Sequence, residues 1–144
     1  MSTIKEVAVF AENKLGQMAI ITKVLADAGV NIRWVTIATT ETFGVIKFLV
    51  DRCDEAFAAL RQKGFTVSLI DVLAIEVPDK PGGLFEVADT LRKNAVNVEN
   101  ASGFVTQSQK RAVLLIEVKD IDRAEQVLKK KRLRLLGADE ALKL

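Results

Sequence analysis

Apolar residues recur along the chain with two different periods, and the period changes from one segment to the next. Near the amino terminus they alternate with a period of two up to Glu12, as in a β-strand. From Met18 to Gly29 they stand three or four positions apart, as on one face of a helix that the glycine ends. The same reasoning predicts strands over 4–12, 31–40, 43–51, 65–71, 72–78, 97–105, 111–119 and 132–136, helices over 18–29, 52–63, 84–95 and 121–131, and a short terminal helix over 138–144.

One unit of sequence occurs twice. Residues 13–18 resemble residues 79–84, and residues 28–32 resemble 94–98, both at a distance of 66 positions. A later apolar segment matches at a distance of 68, and the two additional residues fall between two predicted strands, where insertions are tolerated. Because the distances agree across three separate elements, the pattern indicates a duplication.

Each unit has the order β-α-β-β-α-β, which is the ferredoxin-like arrangement of four antiparallel strands under two helices. We therefore expect an α+β protein with two such domains, 1–71 and 72–144, side by side in one eight-stranded antiparallel sheet with the helices on one face. The strands 43–51 and 111–119 are apolar on both of their faces. A sheet of this kind needs cover on both faces, and a second copy of the chain supplies it, so we expect a homodimer.

Composition excludes several classes of function. The chain of 144 residues is 49% hydrophobic with a net charge of +2, so it can form a core, and no nucleic acid or membrane partner is expected. It has no histidine and one cysteine, Cys53, so histidine-dependent nucleophiles, histidine metal sites and disulfides are absent. We expect a cytoplasmic protein with no catalytic residues, no metal site and no cofactor, and not an enzyme.

The loop before the first helix of each unit is the candidate binding region. Gly16, and Gly82 with Gly83, let the backbone turn tightly and approach a ligand. The following helix start offers unpaired amides, which suit a carboxylate. Asn31 and Asn97 stand where the next strand is predicted to begin, and an amide side chain both donates and accepts. Alternatively, these glycines and asparagines serve only the turns.

The loops 12–16 (ENKLG) and 78–84 (PDKPGGL), with 29–32 (GVNI) and 95–98 (AVNV), closely resemble ACT domains over nearly the whole chain. The resemblance is to small tandem-ACT proteins, and it implies that an amino acid or similar metabolite binds between two domains. It also implies that one loop faces the asparagine of the other unit. The implied ligand-binding residues are Asn13, Lys14, Leu15, Gly16, Gln17 and Met18 with Asn97, and Asp79, Lys80, Pro81, Gly82, Gly83 and Leu84 with Asn31.

Two positions depart from the family pattern. Leu15 replaces the usual proline, and Asp79 stands where the first unit has Asn13, so the two sites are expected to differ. A carboxylate in the loop would repel a ligand carboxylate, although it could hold an ammonium group. The resemblance implies an amino-acid-responsive regulatory protein that acts on a partner enzyme. The alternative is an interaction module that needs no ligand, like the regulatory subunit of acetolactate synthase.

Overall fold

The computed structural model describes residues 3–144 and contains seven β-strands and five α-helices within that range. In chain order these are β1 (Thr3–Glu12), α1 (Gln17–Asp27), β2 (Ile32–Thr39), β3 (Phe43–Val50), α2 (Cys53–Gln62), β4 (Thr66–Pro78), α3 (Gly83–Lys93), β5 (Asn100–Gln107), β6 (Arg111–Glu117), α4 (Ile121–Lys130), β7 (Leu135–Leu136) and α5 (Ala138–Leu142). The chain divides into two compact units, an amino-terminal unit over Lys5–Ile70 and a carboxy-terminal unit over Asp71–Leu144 that includes the first residues of β1. No helix in the described residues is long and apolar enough to cross a membrane.

The strand count corrects one expectation. The predicted strands 65–71 and 72–78 form a single strand, β4, so the described chain has seven strands and not eight. No glycine or proline stands between Thr66 and Val77, and nothing there turns the backbone. The other predicted strands and helices are present, with bounds that differ by a few residues.

The pairing of the strands follows the ferredoxin-like order in each unit. In the amino-terminal unit the order is β2-β3-β1-β4, and in the carboxy-terminal unit it is β5-β6-β4-β7. The pairs β1–β3, β2–β3, β4–β6, β4–β7 and β5–β6 are antiparallel, with Val9 opposite Ile46 between β1 and β3, and Ile75 opposite Leu114 between β4 and β6. The α+β class with antiparallel pairing is therefore confirmed.

Each unit has its own apolar core between its helices and its strands. In the amino-terminal unit, Ile21 and Leu25 of α1 and Leu60 of α2 pack with strand residues such as Phe48, and all four are fully buried. In the carboxy-terminal unit the corresponding cluster contains Leu73, Ile75, Val87, Leu91, Ile116, Ala124 and Leu128. Burial of this apolar surface is the main force that holds each unit together.

Three apolar residues of the helices lie outside the core. Met18 and Leu84 stand in the first turns of α1 and α3 and are exposed, and so is Ala88. The helical period assigns residues to a face, but it does not reveal where the sheet beneath the helix ends. Met18 and Leu84 line surface cavities instead.

Candidate functional site

Asn13 connects the loop after β1 to the turn between β2 and β3 by two hydrogen bonds. Its backbone amide donates to the carbonyl oxygen of Thr42 at 2.9 Å, and its side-chain Nδ2 donates to the carbonyl oxygen of Thr40 at 3.0 Å. Both bonds use donors of Asn13. The side chain therefore holds the shape of the loop, which leads directly into α1.

The start of α1 presents two backbone donors. Gly16 precedes the helix with a φ of 82°, a left-handed conformation that glycine adopts without strain, and no side chain caps the helix. The amides of Gln17 and Ile20 bond back to the loop and to Gly16. The amides of Met18 and Ala19 have no hydrogen-bond acceptor among residues 3–144. Because the helix dipole is also positive at this end, the position suits an anionic group.

A cavity of about 150 Å³ lies beside this helix start. Lys14 of the loop and Thr39 at the end of β2 supply polar groups, while Ala11, Ile37 and Ile46 supply apolar walls. The Lys14 ammonium is 3.8 Å from the carboxylate of Glu12, and both side chains are more than half exposed. An ion pair this exposed is weak, so the lysine is able to turn toward another anion.

In the equivalent loop of the carboxy-terminal unit the side-chain hydrogen bond has the opposite polarity. The Oδ2 atom of Asp79 accepts the backbone amide of Gln109 at 2.6 Å, whereas the Asp79 amide donates to the carbonyl oxygen of Lys110 at 3.2 Å, as the Asn13 amide does to Thr42. The β5–β6 turn therefore offers this side chain a donor, where the β2–β3 turn offers a carbonyl oxygen. This difference explains why an aspartate stands at one position and an asparagine at the other.

The carboxy-terminal cavity has no polar side chain in its lining. It measures about 220 Å³ and is formed by residues at the positions equivalent to the first cavity, including Val77, Leu84, Val105 and Leu114. Residues 79–83 of the loop do not line it, although Gly82 again starts the helix with a φ of 87°. The two units thus place a cavity in the same position but give it different chemistry.

A model of the ACT domain pair family matches residues 2–144. The chain belongs to this family. The ACT resemblance inferred from the loops is therefore confirmed. No similar sequence was found among the curated proteins.

Solved structures agree with this assignment. A protein from Bacteroides thetaiotaomicron is 32% identical and has a TM-score of 0.91, with 99% of this chain and 98% of that chain covered. The regulatory subunit of aspartate kinase from Thermus thermophilus is 16% identical, with a TM-score of 0.61 and 88% and 91% covered. That from Thermus flavus is 16% identical, with a TM-score of 0.60 and 87% and 88% covered. At this identity the two kinase subunits share the fold.

The asparagines of the two ACT units differ in their surroundings. Asn31 directly precedes β2, and its backbone amide donates to Asp51 Oδ1 at 2.9 Å. Asn97 was expected to open a strand, but β5 begins at Asn100, so Asn97 lies in the preceding loop. The backbone turns through Ala95 with a positive φ of 55°, as it does through the equivalent Gly29 with a φ of 71°. The expectation that each asparagine faces the loop of the other unit stays a prediction.

A separate cavity of about 210 Å³ surrounds Asn97 and is lined by the charged side chains of Lys119 and Arg123, among others. The Arg123 guanidinium donates to the carbonyl oxygens of Asn94 and Ala95 at the end of α3. Arg123 therefore has a structural role, since it donates to carbonyl oxygens that have no acceptor role within the helix at its C-terminal end.

Most of the remaining predicted loop residues lie at the surface. Leu15 is fully exposed, and Lys80, Pro81 and Gly82 are exposed as well. Gly83 is the exception, since it is buried at the start of α3. The exposure of Leu15 explains why the loop tolerates leucine in place of the usual proline.

The wall residues Ile37, Thr39, Gly44 and Ile46 were not among the predicted site residues. They belong to β2 and β3, and they reach the loop only because the strands pair side by side. The duplication is the one feature of the sequence that relates these wall residues to one another, since the equivalent positions line the second cavity.

The titrating groups with shifted pKa values lie elsewhere. Burial, and then the charge of Asp54, raise the pKa of the Cys53 thiol. Hydrogen bonds from Arg92 and Lys93 lower the pKa of Asp89. Within residues 3–144 no group of three or more cysteine, aspartate or glutamate side chains is arranged to hold a metal ion.

Proposed function

We propose that this ACT pair is a regulatory protein that binds an amino acid at the amino-terminal loop and cavity. The observation that carries the proposal is that Met18 and Ala19, whose amides have no acceptor within residues 3–144, line one small cavity together with Lys14. The carboxylate of an amino acid would accept hydrogen bonds from those amides at the positive end of α1. Its ammonium group would lie near the Thr39 hydroxyl and the Glu12 carboxylate.

The size of the cavity supports a small ligand. About 150 Å³ is well below the roughly 300–1,000 Å³ of a site for a drug-sized molecule. The ammonium and carboxylate groups of an amino acid are bonded to the same α-carbon. A few neighbouring polar groups beside an apolar wall are therefore enough to hold it. The loop around Asp79 supports a ligand carboxylate less well, because it places a negative charge close to the start of α3.

Regulation would act through a partner enzyme. The fold is shared with regulatory subunits of aspartate kinase, and the chain offers neither histidine nor a metal-holding cluster in its described part for catalysis of its own. A ligand that prefers one packing of the ACT units would change the affinity for the partner. A coupling free energy of about 1–3 kcal/mol is typical of such effects.

The exposed sheet surface of the amino-terminal unit supports the proposed homodimer. Phe10 and Phe43 are 44% and 61% exposed, and with Val45 they form an apolar patch on the face away from the helices. In the carboxy-terminal unit the residues Val113 and Leu115, on the equivalent face, are buried. The second copy is therefore needed to cover the amino-terminal unit alone. Light scattering after gel filtration should give a dimer, and Phe43→Lys should give a monomer.

The binding proposal is tested by thermal unfolding with each of the twenty amino acids. A ligand at about 100 times its Kd stabilises by roughly 2.7 kcal/mol, which raises the Tm of a chain of this size by about 5–10 °C. We expect Lys14→Ala to reduce the shift, while the matched variant Lys80→Ala leaves it unchanged. The variants Asn31→Ala and Asn97→Ala test whether the asparagines contact the ligand, as the family resemblance predicts.

No shift with any amino acid would contradict this function and favour the ligand-independent interaction module. A pull-down that recovers the same enzyme partner from extract with and without dialysis of small molecules would support that alternative.

A further inference from the structure

The wall of the amino-terminal cavity away from the loop is apolar. Ala11, Ile37, Gly44 and Ile46 form it, and Ala11 and Ile46 are buried. None of the charged side chains of β2 or β3 lines it. A charged ligand side chain placed against this wall would lose its hydration and gain no partner. The wall therefore favours an aliphatic group.

The size of the cavity limits that group. A volume of about 150 Å³ is small beside the roughly 300–1,000 Å³ of a cavity for a drug-sized ligand. Gly44 maintains part of this space, because a Cβ atom there would lie 3.1 Å from Cγ2 of Thr39. A short aliphatic side chain is compatible with these dimensions.

The carboxy-terminal cavity differs at the equivalent positions. Val105 replaces Thr39 and removes the hydroxyl, and Ala112 replaces Gly44. All of its lining residues are apolar, and the carboxylate of the adjacent loop residue Asp79 already accepts the Gln109 amide. A zwitterion would find no polar side chain in this lining, so this cavity is not equipped to bind one.

We infer that each chain binds one amino acid with a short aliphatic side chain, in the amino-terminal cavity alone. This inference rests on the proposed function and adds the ligand class and the stoichiometry. Thr39 is the strand residue that distinguishes the two cavities, since it lines the first where Val105, which has no hydroxyl, lines the second.

Isothermal titration calorimetry of the full chain with alanine, valine, leucine, aspartate, lysine and phenylalanine tests this inference. We expect the tightest binding from valine or leucine, with one ligand per chain. Thr39→Val, which installs the residue of the second cavity, should weaken binding at least tenfold. The matched variant Val105→Thr should leave the Kd and the stoichiometry unchanged. Gly44→Ala should lower the affinity for leucine at least tenfold more than that for alanine. Circular dichroism would verify that the variants are folded.

The possible outcomes test separately the ligand class, the single site and amino-acid binding itself. Tightest binding of aspartate, lysine or phenylalanine would overturn the ligand class and leave amino-acid binding intact. Two ligands per chain, or an affinity that responds to Val105→Thr but not to Thr39→Val, would overturn the single-site assignment. Absence of heat and of a thermal shift with every amino acid would overturn both this inference and the proposed function.

Discussion

Gly83 is a position where one added methyl group should destabilise the protein measurably. It is the buried first residue of α3, and a Cβ atom built there would collide with the carbonyl oxygen of Pro78 and lie 3.3 Å from Cγ1 of Val77. The carbonyl belongs to the backbone at the end of β4 and cannot rotate away. The strand end or the start of the helix must therefore move.

The magnitude follows from two opposing effects of Gly83→Ala. Overpacking of this kind costs roughly 1–3 kcal/mol, and the better helix propensity of alanine returns about 0.5–1 kcal/mol. We expect a net loss of about 1–2 kcal/mol in the free energy of unfolding, and a Tm lower by about 2–8 °C. Urea unfolding gives the free energy, and an unchanged m-value would show that the compactness of the two states is preserved.

Two controls isolate the collision. Gln17 occupies the position 66 residues earlier and already carries a Cβ atom, so Gln17→Ala should change stability by less than about 0.5 kcal/mol. Gly82→Ala meets nothing within 4 Å but has a φ of 87°, so its cost of roughly 1–2 kcal/mol would arise from backbone strain. If Gly83→Ala is as stable as the unmodified protein, the close approach of α3 to the end of β4 is wrong.

Three further outcomes test the fold. Leu60→Ala, in the amino-terminal core, should lower the free energy of unfolding in urea by about 2–5 kcal/mol. Leu15 is fully exposed, so Leu15→Ala should change the same free energy by less than about 0.5 kcal/mol. Equal losses from the two variants would show that Leu60 is not in the core. Asp120 caps α4 through a bond to a first-turn amide, so Asp120→Ala should cost about 1 kcal/mol, read from the urea midpoint. Asp89 has a lowered pKa, chiefly through Arg92, so its contribution is present above the ordinary carboxyl pKa and is lost as the pH falls through the lowered value. The Tm difference from Asp89→Asn should therefore vanish in acid, and a constant difference would refute that cause.

The loops before α1 and α3 show how far local sequence reasoning extends. The duplicated loops, the glycines at the helix starts and the family were all predicted correctly, because a turn and a helix start depend on a few adjacent residues. The same reasoning read Asp79 as a free carboxylate. In the structure this carboxylate accepts a hydrogen bond from the backbone amide of Gln109, 30 residues away. A local sequence pattern does not reveal whether a turn at that distance offers a donor or an acceptor.

The order of strands and helices, the duplication and the positions of the two loops follow from the amino-acid sequence alone. These features depend on the spacing of apolar residues along the chain and on the backbone preferences of a few adjacent residues. Strand pairing in the folded chain makes 66–78 one strand, since continuity there depends on neighbours that are distant in sequence. It also decided which residues wall the cavities. Thr39 and Ile46 come together with the loop through strand register, and register brings together residues that the linear chain keeps apart.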